Sequence, residues 1–275
     1  MSHGLDGRSD HLVGLVVEDL TVRFGGVLAV DGLSLRAPLG SVTGLIGPNG
    51  AGKSTTFGAC SGFVQPASGR IRCCGRDVTH LRASHRAHAG IGRTFQRIEL
   101  FDSLSVAENV AMGLEARLAG SSPLTVALSR RGQGSAVAAA AREALDRCGL
   151  SEIGQHRAGV LSTGQRRLVE LARALAGGFR ILLLDEPSSG LDASEVVYFS
   201  DLLRGVVASA GLGVLIVEHD MTLIAEICDH VYVLDYGRLI FSGTPGEVLG
   251  SEIVRAAYLG TSADGLPGIP SAVGR

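Results

Sequence analysis

Lysine is almost missing from this chain. Of 25 Lys plus Arg residues a single one, Lys53, is lysine. Long apolar runs are missing as well: Gly, Pro or charge interrupts every hydrophobic stretch well before the roughly 20 residues that span a bilayer. That excludes a membrane-spanning helix. The opening residues MSHGLDGRSDH have neither the basic nor the apolar region of a secretory signal, so a soluble, unexported protein is expected. Positive charge is not in excess, since 25 Lys plus Arg face 27 Asp plus Glu for a net charge of -2. No nucleic-acid partner is expected without a basic field. The five cysteines (Cys60, Cys73, Cys74, Cys148, Cys228) form neither an even framework nor a C-x-x-C pair. They read as reduced thiols, which excludes a disulfide scaffold and a zinc knuckle. Asparagine stands only at 49 and 109, so no N-K-x-D guanine-reading motif exists, and no G-x-S-x-G elbow marks a serine hydrolase.

What is present is the material of a folded globule. The chain has 275 residues, 45% hydrophobic and 19% charged, enough to bury a sizeable core. Its 39 glycines follow no collagen period, so many sites need tight turns or close backbone approach. Where composition replaces lysine by arginine throughout, the surviving Lys53 marks a place that requires a compact ammonium.

Periodicity divides the chain. Residues 1–14 read as a flexible tail, and Leu15 to Phe24 alternates like a strand. Ser41 to Ile46 is a short apolar, β-branched run, followed by GPNGAG and a helix over Lys53 to Gly62. The continuous apolar runs Ile181 to Leu184 and Gly213 to Val217 suit strands buried on both faces, hence a parallel sheet covered by helices. Leu104 to Leu118, Ala136 to Cys148 and Gln165 to Ala176 carry helical spacing and predict an inserted helical subdomain. Residues 119–135 read as an exposed excursion with a short helix at Leu124 to Arg130, and residues 261–275 as a second flexible tail.

Gly47-Pro48-Asn49-Gly50-Ala51-Gly52-Lys53-Ser54 matches G-x-x-x-x-G-K-[ST] between a predicted strand and a predicted helix, the context of a P-loop. Backbone N–H groups and the helix N-terminus then cradle phosphate, Lys53 reaches the β- and γ-phosphates, and Ser54 ligates Mg2+. A dinucleotide fingerprint fails, because Thr55 stands where its third glycine would fall. The run ILLL ends in Asp185-Glu186, a Walker B pattern. Asp185 would serve the Mg2+ shell and Glu186 would polarise the attacking water. Leu161-Ser162-Thr163-Gly164-Gln165 opens a helix with Leu168, Leu171, Ala172 and Leu175 on one face. Ser162 and Gln165 form an S-x-x-Q capping box, which would account for them locally. The same exposed helix N-terminus would also bind a phosphate from outside.

GPNGAGKST, LSTGQ, ILLLDEP, SSGLD and EHD, in this order, make residues 15–260 similar to the nucleotide-binding subunits of ABC transporters. FGGVLAVDGLS, GIGRTFQ, LFDSLSVAENV, VEHDM and AAYLG resemble the ATP-binding subunits of branched-chain amino acid importers. This resemblance implies an α/β fold: a RecA-like P-loop NTPase core with a mixed, mainly parallel sheet, an antiparallel β subdomain and a helical subdomain inserted at about 97–175. It implies ATP and Mg2+ as cofactors, with Phe24 stacking on adenine and the loop residues Gly47 to Thr55 holding the phosphates. Gln96 would link Mg2+ and γ-phosphate to the membrane partner, and His219 would contact the γ-phosphate. Ser189 to Asp192 would reach across a dimer, in which Ser162 to Gln165 of one subunit close on ATP held by the other. Thr163 departs from the general LSGGQ signature, and Phe24 replaces a frequent tyrosine.

The resemblance further implies a second ABC ATPase subunit, identical or related, and permease subunits docking near Gln96 to Phe101 on Phe95, Ile98, Leu100 and Phe101. A solute-binding protein would take part indirectly, and the chain would sit in the cytoplasm on the inner face of the plasma membrane. The function expected is that of a transport motor importing branched-chain or other small amino acids or amides. Its rivals are an exporter ATPase of the lipopolysaccharide type and a soluble ABC ATPase unconnected with transport. A P-loop kinase would not account for LSTGQ or His219. His80, His85 and His88, interleaved with Arg82 and Arg86, read as a solvated basic face.

Overall fold

The computed structural model describes residues 14–94, 98–118 and 134–259. The excursion predicted over 119–135 falls mostly outside these, as do Gln96 and both predicted tails but for Gly14.

Two sheets carry the fold. The first is antiparallel, in the order β2-β1-β4-β5, from β1 (Leu15–Phe24), β2 (Val27–Ala37), β4 (Ser68–Cys73) and β5 (Arg76–Asp77). The second has the order β10-β9-β3-β8-β7-β6 and contains β3 (Val42–Ile46), β6 (Ile91–Arg93), β7 (Ile181–Asp185), β8 (Gly213–Val217), β9 (His230–Asp235) and β10 (Arg238–Gly243). Its pairings are parallel except for the β9–β10 hairpin. The resulting architecture is the mixed, mainly parallel P-loop fold with an antiparallel β subdomain.

The reason for the continuous apolar runs is visible in the packing. Successive side chains of a strand point to opposite faces. Ile181, Leu183, Leu215 and Val217 enter the core shared with the antiparallel sheet and Phe57 of helix α1 (Lys53–Ser61). Leu182, Leu184, Val214 and Ile216 enter the opposite core, with α5 (Thr163–Ala176), α6 (Ala193–Ala210) and α7 (Met221–Ile227). A polar residue on either face would be buried without a partner, so both faces must be apolar.

Helices α3 (Val106–Leu118), α4 (Gly134–Arg147) and α5 pack on one another as a helical layer. The described residues end with α8 (Pro245–Gly250) and α9 (Glu252–Leu259). Among the described residues no helix is long and apolar enough to cross a membrane.

One expectation holds only in part. His80, Arg82 and, on helix α2 (Ala83–His88), His85 and His88 are exposed as predicted, but Arg86 is 0% exposed. Its guanidinium donates to the carbonyls of Ala59, of Cys60 at 3.0 Å, of Thr79 at 2.7 Å and, through Nε, of Leu81 at 2.9 Å. Ala59 and Cys60 lie in the last turn of α1, where carbonyls lack helical partners and the dipole is negative. A buried cation is thus held by the end of a neighbouring helix.

Candidate functional site

The register of the second sheet brings three motifs to one edge. Leu45 of β3 pairs with Val217 of β8, and Val217 in turn with Asp185 of β7. The P-loop, Asp185-Glu186 and Glu218-His219 therefore leave adjacent strands at the same level, outside the carboxyl ends where open α/β sheets hold ligands.

The loop from Gly47 to Gly52 is closely set into its surroundings. A Cβ at Gly47 would stand 2.1 Å from the Leu234 carbonyl oxygen, and one at Gly52 2.6 Å from that of Ala29. Gly52 caps α1 in the left-handed region at φ 100, with no side-chain hydrogen bond to the helix N-terminus and no acidic residue in its first turn. Helices α5, α6 and α8, by contrast, each carry a full capping box. The α1 N-terminus thus keeps its backbone donors and positive dipole for an anion.

Lys53 donates from Nζ to the carbonyls of Gly47 at 2.6 Å and Pro48 at 3.0 Å. Burial pulls its pKa below that of an ordinary lysine, while the carboxylates of Glu186 and Asp185 oppose the shift. The ammonium and both acids therefore share one electrostatic site. Glu186 sits in the left-handed region at φ 48, a conformation costly for a residue with a Cβ and concentrated at functional positions. Ser54 is exposed and Asp185 is nearly buried. A hydroxyl and a carboxylate are hard oxygen donors, which suits Mg2+.

The chain beyond β10 also reaches the loop. Burial pushes the Tyr258 phenol up to about 12, opposed by a hydrogen bond from the Gly47 backbone, so α9 touches the first loop residue. The β1–β2 hairpin, with Phe24 52% exposed at the end of β1, is joined to the same region. Asp31 N–H donates to Gly237 O at 2.8 Å, and Gly237 N–H donates to Ala51 O at 3.0 Å.

His219 follows β8 with its side chain 67% exposed. Glu218 beside it is fully buried and accepts from the backbone N–H groups of Ser188 at 2.9 Å and His219 at 3.1 Å. Sequence reasoning gave Glu218 no role, yet it ties the end of β8 to the loop after Glu186. Arg93 was likewise missed: it pairs with Asp185 at 2.8 Å. Only its place in GIGRTFQ, three residues before Gln96, hinted at it.

Ser162 to Gln165 lie elsewhere. The Ser162 hydroxyl accepts from Gln165 N–H at 3.2 Å, and the Gln165 side chain accepts from Ser162 N–H at 3.1 Å. The capping box is therefore real. It leaves Ser162 and Thr163 exposed. This segment packs on the loop before α6 and on its first turn: a Cβ at Gly164 would stand 2.3 Å from Glu195 Oε1, and one at Gly190 3.2 Å from Thr163 Cγ2. Asp192 is the N-cap of α6, accepting from Glu195 N–H at 2.9 Å. Among the described residues no hydrogen bond or ion pair joins 162–165 to 47–55. Gln96, expected to link Mg2+ and γ-phosphate to the membrane partner, lies outside the described residues, with Thr94 anchored just before it through N–H to Leu183 O at 3.0 Å.

A strand–loop–helix with an uncapped helix start, facing an acidic pair at the end of a parallel strand, defines a P-loop ATPase cassette. Residues 30–189 match the family described as ABC transporter, and residues 238–264 that described as branched-chain amino acid ATP-binding cassette transporter. The chain belongs to the ABC transporter family.

It is 38% identical over 251 residues to the high-affinity branched-chain amino acid transport ATP-binding protein BraF of Pseudomonas aeruginosa, covering 90% of this chain and 97% of that one. Identity to the corresponding protein LivG of Salmonella typhimurium is 37% over 249 residues, with the same coverage of 90% and 97%. The lipopolysaccharide export system ATP-binding protein LptB of Haemophilus influenzae is 35% identical over 246 residues, again covering 90% and 97%. Among solved structures, the ADP conformation of an ATP-binding cassette of an ABC transporter superposes with a TM-score of 0.79 at 31% identity, covering 90% of this chain and 99% of that one.

Proposed function

We propose that the chain is the ATP-hydrolysing motor of an importer for branched-chain or other small amino acids or amides, working as a dimer on the inner face of the plasma membrane. The observation that carries the ATPase chemistry is the shared sheet edge of the uncapped α1 N-terminus, Lys53, Asp185 and Glu186. Import is supported by the similarity to BraF and LivG and by the match over 238–264. The likeness to LptB keeps export as the second reading.

In this reading the backbone donors of Gly47 to Thr55 bind the β- and γ-phosphates, Lys53 neutralises them, and the Phe24 ring stacks on the adenine. Ser54, Asp185 and Gln96 would hold Mg2+, whose chemistry is to neutralise charge on the triphosphate. Glu186 accepts a proton from a water whose oxygen bonds to the γ-phosphorus. The bond from that phosphorus to the β–γ bridging oxygen breaks, giving ADP and phosphate. His219 orients the γ-phosphate. The exposed Ser162 and Thr163, with Gly164, Gln165 and Asp192, meet the nucleotide of the second subunit, so loss of the γ-phosphate opens the dimer.

The permease subunits dock on a cavity of about 400 Å³ between α1, α2, α3 and α5, lined by Phe63, Ala87, Met112, Ala116 and Phe179 among others. Of the residues predicted for docking, Phe101 is half-exposed, Leu100 packs on the helical core, and Phe95 lies outside the described residues. A solute-binding protein delivers cargo to the permease without touching this chain.

Glu186→Gln tests the chemistry. It should keep ATP affinity, lower steady-state turnover by at least about 100-fold, and accumulate an ATP-bound dimer on size-exclusion chromatography. Turnover equal to the natural chain would remove Glu186 from the role of base. Uptake of labelled leucine by vesicles holding the complete transporter tests import.

A further inference from the structure

Arg93 ends the edge strand β6, immediately before the segment that holds Gln96. Its Nη2 donates to Asp185 Oδ2 at 2.8 Å, and its Nη1 to Ser61 Oγ at 3.0 Å. The guanidinium carbon stands 5.8 Å from the centroid of the Phe57 ring and 5.9 Å from that of Phe63. The pair is largely withdrawn from water, with side chains 16% and 11% exposed for Arg93 and Asp185. Ser61 and Phe57 belong to α1, the helix that begins at the P-loop. One planar cation is thus clamped between the far end of the phosphate-binding helix and the acid at the end of β7.

An ion pair taken out of water rarely stabilises a fold more than apolar residues of the same volume would. Its geometry, however, is fixed. Two anchors and two ring faces leave the guanidinium little freedom, and a planar fork holds a carboxylate in one orientation better than a flexible ammonium. Groups that hydrogen-bond a metal-binding carboxylate set its orientation and thereby the site's affinity.

We propose that Arg93 is a positioning residue for Asp185: by taking one carboxylate oxygen it fixes the side chain so that the other is presented to the Mg2+–nucleotide complex. The proposal rests on the ATP-site reading above. Arg93 also lines the 400 Å³ cavity, together with Ser61 and Phe63. A partner seated there touches the residue that orients the acid.

Binding, not turnover, provides the test. The affinity of the full-length chain for a fluorescent ATP analogue is measured with Mg2+ and with EDTA in its place, for the natural chain, Arg93→Gln and Arg93→Lys. Arg93→Gln should lower the ratio of the two affinities by about tenfold, the low end for groups supporting a metal ligand, and leave affinity in EDTA unchanged. Arg93→Lys should lower the ratio less, since an ammonium keeps the charge but not the fork, and it decides the matter alone if Arg93→Gln does not fold. A natural ratio in the folded variants overturns the proposal. So does an equal loss of affinity in both buffers, which would make Arg93 merely structural. If the natural chain binds no nucleotide in either buffer, the ATPase reading itself fails and this proposal falls with it.

Discussion

Lys53 directs its ammonium at two carbonyls of its own loop, 2.6 and 3.0 Å away, inside the field of Glu186 and Asp185. A compact point charge with rotatable donors meets both oxygens, whereas a guanidinium of equal charge is planar and larger. Lys53→Arg should therefore weaken ATP binding although the charge is conserved. Loss of one charge-assisted hydrogen bond is worth about 1.5–3 kcal/mol, hence at least about tenfold in affinity, measurable by titration with a fluorescent nucleotide. An unchanged dissociation constant would show that charge alone suffices. At this scale the loop, Asp185 and Glu186 were legible because each sits in an unbroken local pattern: a glycine run after a strand, or acids closing an apolar run. Arg93 and Glu218 were not. Their partners lie 92 and 30 residues away in the chain, and nothing near either residue signals a distant acid or amide.

Helix α1 is nine residues long and polar in its first turn, so its stability depends on what meets its ends. Its start is left for an anion. Its end is closed by Gly62 in the left-handed region at φ +84 and by Arg86 from α2. A Cβ at Gly62 would stand 2.9 Å from both Arg86 Nε and Ala83 N, so glycine is required there for space as well as conformation. Arg86→Met would keep much of the volume but leave the carbonyls of Ala59, Cys60, Thr79 and Leu81 without their buried donor. The expected cost is about 3 kcal/mol, read from the urea midpoint at constant slope. A change below about 0.5 kcal/mol would mean that water replaces the guanidinium. The strands were readable because burial on two faces imposes an apolar run. Arg86 alone of its basic stretch misled, because it reads as solvated until the α1 carbonyls are placed over it.

The whole molecule carries two surfaces that no element shows alone. One is the ATP edge together with the exposed Ser162 and Thr163; among the described residues no bond joins the two, and in the proposed reading a second subunit brings them together. The other is the apolar cavity between α1, α2, α3 and α5, bounded on one side by Arg93 and on another by Glu170 and Arg173 of α5. Those α5 residues grip the chain after Gln96: Glu170 accepts from Glu99 N–H at 3.2 Å, and Arg173 donates to Glu99 O at 2.6 Å. Helix α5 begins at Ser162 and Thr163, so one element spans the cavity proposed for docking and the surface that the proposed reading gives to a second nucleotide. Ala116 is exposed on the cavity wall, and Phe101 is half-exposed among the residues predicted for docking. Ala116→Arg and Phe101→Asp should leave nucleotide affinity and the thermal midpoint of the isolated chain unchanged. Both should abolish copurification with the permease, because an unpaired charge in an apolar contact costs several kcal/mol. Intact copurification and leucine uptake with both substitutions would move the docking surface elsewhere on the molecule, while leaving the ATP edge where the strand register puts it.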